Sequence, residues 1–283
     1  MVLWFLVLIA ALSTYLLANA RSETAIARNI RGAAIAEALA DAAIAQAVFN
    51  QTGRADRWRL DGEPHLISLP DGEATIRLYD ENQKVNPNLA SDALMASLFE
   101  AAGIGRALSM RLGASIADWV GSETEPRALG AKKQQYLDAG RSYGPPNAPI
   151  ESIDELQLVL GMTPEILARV RPYLSIHTQS ETPRATNASP IIRRALTLAA
   201  VAPAEVGPGD EESAPVVTPR GTLATPTPVP SDAGMSDEDL VRLVITARAS
   251  TGGLFVRDAV LRLDLSSLKG YVVLDWRRGD LVE

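Results

Sequence analysis

The first twenty positions carry no charged side chain, and about twenty apolar residues are what a helix needs to cross a ~30 Å hydrocarbon core. Residues 1–20 therefore predict a membrane span. Beyond Arg21 the chain turns polar but stays rich in helix formers, and Ala36, Leu39, Ala40, Ala43 and Ala47 fall on one face at helical spacing. One continuous helix to residue 50 is the simplest reading. At ~1.5 Å per residue it would be roughly 75 Å long. Residues 21–50 would project from the bilayer, and a soluble domain would rest on them.

The helical pattern stops at Gln51-Thr52-Gly53, and Gly62-Glu63-Pro64 marks a loop. His65 to Leu69 and Ala74 to Tyr79 then alternate, with Ile67, Leu69, Ile76 and Leu78 apolar, around a turn at Pro70-Asp71-Gly72. Residues 51–85 thus predict a hairpin that begins a sheet domain. From Asn86 the period changes to that of helices, and 86–200 reads as a separate helical module. Ser91 is placed to cap a helix over 92–101, Gly103-Ile104-Gly105 breaks it, and a second helix covers 106–120. Ser152 and Glu155 have capping-box spacing, and Thr163-Pro164 can open the next helix after Gly161. Together they form a helix-hairpin-helix-like pattern. A last helix starts at Ser189-Pro190.

Residues 201–234 are rich in Pro, Thr, Ala and Gly with almost no large apolar side chain, the composition of a flexible loop. Residues 235–283 turn ordered again. Val241 to Ala249 alternates as a strand would, although Leu240, Leu243, Val244 and Ala247 also suit a helix; strand is preferred because Thr251-Gly252-Gly253 makes a hairpin turn into Phe255–Asp264. Tyr271 to Trp276 is a third strand. The expected class is α+β: an antiparallel sheet built from both ends of the soluble chain, with helices inserted between them.

Composition narrows the function classes. The chain has 283 residues and a net charge of −7, a balance opposite to that of proteins that neutralise phosphates, so no nucleic-acid partner is expected. It has no cysteine, which excludes disulfides, thiolate metal sites and cysteine nucleophiles. Its two histidines, His65 and His177, lie far apart without companion ligands and read as structural. Neither a G-x-S-x-G elbow, nor a P-loop, nor an H-E-x-x-H helix occurs. No catalytic and no cofactor-binding residues are assigned; the expectation is a non-enzyme.

The order of motifs resembles one family, the type II secretion minor pseudopilin K, or general secretion pathway protein K. The resemblance covers nearly the whole chain. It rests on the apolar start at Val2–Leu8, the Ala36-Glu37-Ala38-Leu39-Ala40-Asp41-Ala42 segment, Lys84-Val85-Asn86-Pro87-Asn88-Leu89-Ala90 and Ile116-Ala117-Asp118-Trp119. Further along stand Glu125-Pro126-Arg127, Gly130-Ala131, Ser152-Ile153-Asp154-Glu155-Leu156, Leu160-Gly161-Met162-Thr163-Pro164 and Val273-Leu274-Asp275-Trp276-Arg277-Arg278-Gly279.

That resemblance implies a pilin-like fold, a long N-terminal helix on an antiparallel sheet with a large helical insertion. It implies a single-pass inner-membrane anchor with the globular part in the periplasm, although Arg21, Arg28 and Arg31 by the positive-inside rule alone would place that side in the cytoplasm. It implies a place at the tip of the type II secretion pseudopilus beside other minor pseudopilins, help in starting assembly, and contact with the secretin or exported cargo. In that setting Ala36, Leu39, Ala40, Ala43 and Ala47 become a candidate subunit-packing face. No acidic residue precedes Glu23, as suits a capping subunit with no neighbour above it, though an ordinary anchor also avoids acids in lipid. A basic leader cut by prepilin peptidase, and a few mature residues, are expected upstream of Met1.

The resemblance also implies calcium in the insertion, for which Asp118, Glu123 and Glu125 are the candidate ligands. Against this, Lys132 and Lys133 stand where acids are expected, Gly121 replaces another, and a solvated charged loop is the alternative. The competing function is a membrane-tethered DNA receptor using the helix-hairpin-helix, whose backbone amides can hold a phosphate. Ten acids against eight bases between residues 86 and 180, and a Pro and an acid in Thr163-Pro164-Glu165, weigh against it. A generic periplasmic scaffold is the third reading.

Overall fold

The computed structural model describes residues 2–53, 57–201, 240–264 and 270–280, with 16–21 described by backbone only. The Pro/Thr-rich stretch expected to be a flexible loop lies, from residue 202 on, outside the described residues. The chain divides into two compact units, one formed by residues 1–81 with 237–283 and the other by 82–236.

The first unit begins with α1, Val2–Thr52, a single uninterrupted helix. The sheet follows: β1 (His65–Leu69), β2 (Gly72–Asp80), β3 (Leu240–Ala249), β4 (Leu254–Leu263) and β5 (Tyr271–Arg278), antiparallel and in sequence order. β2 and β3 pair although the whole insertion separates them in sequence. Their register opposes Ala74 to Ala247, Ile76 to Ile245 and Leu78 to Leu243, all buried. A slip by one residue would turn every one of these side chains to the other face, so the alternation itself fixes the pairing. The ambiguous 240–249 segment resolves as a strand because both its neighbours supply ladder partners.

Helix α1 packs on β2, β3 and β4. Ala36, Ala40, Ala43, Ile44 and Ala47 are wholly buried, with Leu39 and Val48 nearly so. This corrects the expectation that Ala36, Leu39, Ala40, Ala43 and Ala47 form a subunit-packing face: the chain's own sheet covers them. Small side chains let the helix backbone come close to the strands. The tightest approach lies at the β3–β4 turn, where a Cβ on Gly253 would overlap the carbonyl of Gly32. Just beyond it, Arg257 on β4 donates to Glu37 Oε1 at 2.9 Å and Asp41 Oδ1 at 3.0 Å, two carboxylates one helical turn apart. Its guanidinium lies 4.7 Å from the Phe255 ring centre and 4.8 Å from that of Trp276. Arg257 is buried but the Glu37 and Asp41 side chains are 50% and 44% exposed, so the ion pairs are partly screened by solvent while the guanidinium itself is sheltered against the rings.

The second unit holds α2 (Asp92–Ala101), α3 (Arg106–Val120), α4 (Lys133–Asp138), α5 (Pro164–Val170) and α6 (Pro190–Val201). α2 packs on α3 and α6 around Leu94, Leu98, Phe99, Leu112, Ile116, Trp119, Tyr136, Leu156, Leu167 and Ile192. A Cβ on Gly113 would overlap the Asp92 carbonyl, so that glycine sets the α2–α3 distance. Ser91, Thr163 and Ser189 each accept an amide of the helix they precede. The Ser152–Glu155 pair behaves differently from a capping box. Ser152 Oγ accepts from Asp154 N, Glu155 reaches Glu151 N, and residues 153–158 form a 3-10 turn.

Gly253→Ala forces the α1–sheet contact apart and is expected to destabilise the first unit by about 1–3 kcal/mol, as overpacking does. Thermal unfolding of the detergent-solubilised protein measures this, with Gly103→Ala as comparison, because a Cβ there meets nothing within 4 Å and only its left-handed backbone resists the change.

Candidate functional site

Two regions carry the residues singled out by sequence. The first is α1 itself. Val2–Ile9, Leu12 and Tyr15 are exposed, an unbroken apolar surface of the kind that marks a membrane or protein partner. Residues 22–52 are also apolar enough to be a candidate span, but their apolar side chains at 36–48 are buried on the sheet. The exposed first part is therefore the segment suited to lipid.

The second region lies in the inserted unit, where the polar motifs prove to be internal bonds. Val85 joins Leu174 as a parallel bridge, with Val85 N donating to Tyr173 O at 2.9 Å and Ser175 N to Val85 O at 3.0 Å. Asn86 Nδ2 donates to Thr178 O at 2.7 Å, and its Oδ1 accepts from Asn88 N. Asn88 exchanges two bonds with Ile150, donating to its carbonyl at 2.9 Å and accepting from its amide at 2.7 Å. The Asn-Pro-Asn motif thus pins the start of the insertion to its later part. Trp119 donates its indole N–H to Glu155 at 2.7 Å and sits in an aromatic cluster with Tyr136 and Tyr143. Tyr136 is fully buried, its hydroxyl accepts from Leu160 N at 2.9 Å, and burial pushes its pKa up to about 12.

Asp118 is 1% exposed. Its carboxylate accepts from Arg127 N at 3.1 Å and lies 3.5 Å from Arg127 Nε. Burial pushes its pKa up, opposed by that amide and by the charges of Lys132 and Arg127. Gly130 is required above it, because a Cβ there would overlap Asp118 Oδ2. This explains both Glu125-Pro126-Arg127 and Gly130-Ala131: the first supplies the amide and guanidinium, the second the space.

Lys132 is buried at 6% exposure, and its ammonium donates to Asp118 O at 2.6 Å, Gly121 O at 2.8 Å and Asn147 Oδ1 at 2.7 Å. Lys133, beside it, is exposed. Asn147 has φ 54°, a left-handed conformation that Asn tolerates better than most residues. Of the candidate calcium ligands, Asp118 is buried and bonded to Arg127, while Glu123 and Glu125 are exposed. The three do not converge: among the described residues no group of three or more acidic or histidine side chains is placed to hold a metal ion. Calcium needs six to eight oxygens, and the oxygens beside Asp118 already surround an ammonium, so the residues present do not fit that ion.

The helix-hairpin-helix-like pattern is a 3-10 turn followed by α5. At the start of α5, Pro164 offers no amide and Glu165 is exposed, with its pKa lowered by a hydrogen bond to Thr163. An ionised carboxylate thus stands where a phosphate would approach. His65 stacks on Trp58 with ring centres 4.2 Å apart.

Comparison with known proteins bears on this arrangement. Residues 74–179 match the model of the family described as type II secretion system (T2SS), protein K. Over 168 residues the chain is 27% identical to the type II secretion system protein K of Klebsiella pneumoniae, covering 56% of this chain and 51% of the relative. The inserted part of the chain is thus similar to type II secretion system protein K. The chain spans about half the length of that relative in this match. The fold resembles a chain of the solved GspK-GspI-GspJ complex from the type 2 secretion system of enterotoxigenic Escherichia coli, with TM-score 0.55 and 14% identity, covering 93% of this chain and 100% of that one. The pilin-like α+β fold expected from sequence is the fold observed. The protein K match contains the Asn-Pro-Asn latch, the Asp118–Arg127 pair, Lys132 and the Ser152–Thr163 region.

Tyr136→Phe leaves the half-buried Leu160 amide without its acceptor and is expected to cost about 1 kcal/mol. The wild-type fold keeps the Tyr136 proton between about pH 10 and about 12, where an unfolded chain releases it, so stability falls as pH rises through that window. Denaturant titrations across alkaline pH should show part of that slope missing in the variant.

Proposed function

We propose that the chain is a non-enzymatic minor pseudopilin at the tip of the type II secretion pseudopilus, where it helps to start assembly and supports protein export across the outer membrane. The observation that carries this reading is the division of α1. Its first part exposes an apolar surface, and its second part is buried on a sheet of its own chain, so the helix anchors the protein at one end and carries the sheet at the other. The match of residues 74–179 to protein K supports this pseudopilin over others. The polar residues of that unit are engaged in bonds that hold it together, which suits a structural subunit better than a catalyst.

On this reading the apolar start sits in the bacterial inner membrane, in a single pass, with the globular part in the periplasm. The partners are other minor pseudopilins, by analogy with the solved complex that contains GspI and GspJ, together with the secretin or exported cargo. A prepilin peptidase acts if a leader lies upstream. The face offered to sister subunits must differ from the alanine face buried on the sheet; Ile26, Ile30 and Phe49 are exposed on α1 and are the side chains proposed to meet neighbouring helices.

Deleting the gene in its host and assaying exported proteins tests the proposal. Export is expected to fall sharply and to return with the wild-type gene. The tagged protein is expected to co-purify two other pilin-like subunits, and Ile30→Asp with Phe49→Asp to weaken that recovery at least tenfold. Unchanged export with impaired DNA uptake would instead favour a DNA receptor.

A further inference from the structure

We infer that Lys132 is a built-in cation that closes the inserted unit's 118–147 region without a metal ion. Its ammonium has three hydrogens, and three oxygens accept them: Asp118 O, Gly121 O and Asn147 Oδ1, at 2.6, 2.8 and 2.7 Å. Two are backbone carbonyls and one an amide oxygen, the hard oxygen donors that a divalent cation would also use. They come from two separate places: the end of α3, at Asp118 in its last turn and Gly121 just after it, and the loop before Ile150.

Several features show that the site is built around the lysine. A buried ammonium is costly unless every hydrogen is bonded and opposite charge lies near; here both conditions hold, with the Asp118 carboxylate among the neighbouring charges. Asp118 O is one of the carbonyls that α3 leaves without an amide partner in its last turn. A positive charge there also suits the helix dipole. The lysine's own backbone is held as well, since Lys132 N donates to Gln135 Oε1 at 3.0 Å, fixing the start of α4. One side chain therefore joins the end of α3, the start of α4 and the Asn147 loop. The same ammonium excludes a second cation, because a divalent ion at those oxygens would sit against it.

The test uses the full-length protein in detergent, followed by thermal unfolding. Wild type is expected to melt at the same temperature in EGTA and in millimolar calcium. A rise with calcium that EGTA reverses would overturn the inference. Lys132→Met removes the charge while keeping much of the length, and its melting temperature is expected to fall on the order of 10 °C, whereas Lys133→Met leaves it unchanged. If Lys132→Met melts with wild type, the inference fails.

Because the chain contains no cysteine, Lys132→Cys offers a chemical rescue that remains informative even if Lys132→Met does not fold. Alkylation in denaturant with 2-bromoethylamine rebuilds an ammonium at nearly the same distance, while iodoacetamide adds a neutral amide. Refolding and recovery of the melting temperature are expected with the first reagent only. Equal recovery with both would show that bulk rather than charge matters and would overturn the inference.

Discussion

The close approach of α1 to the sheet is the constraint on which the first unit depends. It is possible only because the helix presents alanines at 36, 40, 43 and 47, and because Gly32 meets Gly253 without a side chain between them. A larger residue at any of these places would lift the helix away from β2, β3 and β4. The ladder between β2 and β3, which joins segments from opposite ends of the chain, gains its buried side from the same contact. Arg257 then works as a clasp, since Glu37 and Asp41 reach it from the rim of the alanine face. Apolar contact sets the distance, and the ion pairs set the position along the helix.

The inserted unit solves a different problem. Its helices pack a conventional apolar core, but residues 121–132 and 139–152 contain little regular secondary structure. A loop of that length leaves many backbone groups that need partners once buried. Polar side chains supply them: Asn86 and Asn88 fix the start of the insertion, Asp118 holds the Arg127 amide, and Lys132 gathers three oxygens. Such networks contribute specificity only when fully bonded, because a buried polar group left without a partner costs on the order of 1–3 kcal/mol. The polar motifs in this unit, which lie within the stretch similar to protein K, therefore act as joints between loops.

Much of the fold was legible because its signals are local. The apolar start, the alanine spacing, the helix breaks at Gly103 and Gly161, and the caps at Ser91 and Thr163 each follow from neighbouring residues. The 240–249 segment needed its context, since the turn at Gly252 and its pairing partners decide it. Three features were beyond local reading. The alanine face looked free for sister subunits, because sequence spacing tells which residues share a face but not which surface covers it. Ser152 and Glu155 have capping-box spacing, yet the Trp119 indole, 36 residues away, takes one Glu155 oxygen and Glu151 N the other. Lys132 stood out only as a base in place of an expected acid and Arg257 did not stand out at all, because only the fold brings their acceptors within reach. A hint existed for each: Gln135 three residues after Lys132, and Arg257 on the same face of β4 as Phe255 and Ala259.

The proposed function makes one helix a membrane anchor at its start and a sheet support at its end, with the sheet outside the inner membrane. The absence of cysteine permits a direct measurement with single cysteines placed at Leu8 and at the exposed Glu63 and labelled with a membrane-impermeant maleimide. In spheroplasts, Glu63→Cys should react from outside and Leu8→Cys should not, even after lysis, until detergent is added. Reaction of Leu8→Cys as fast as Glu63→Cys, or reaction of Glu63→Cys only after lysis, would contradict the account.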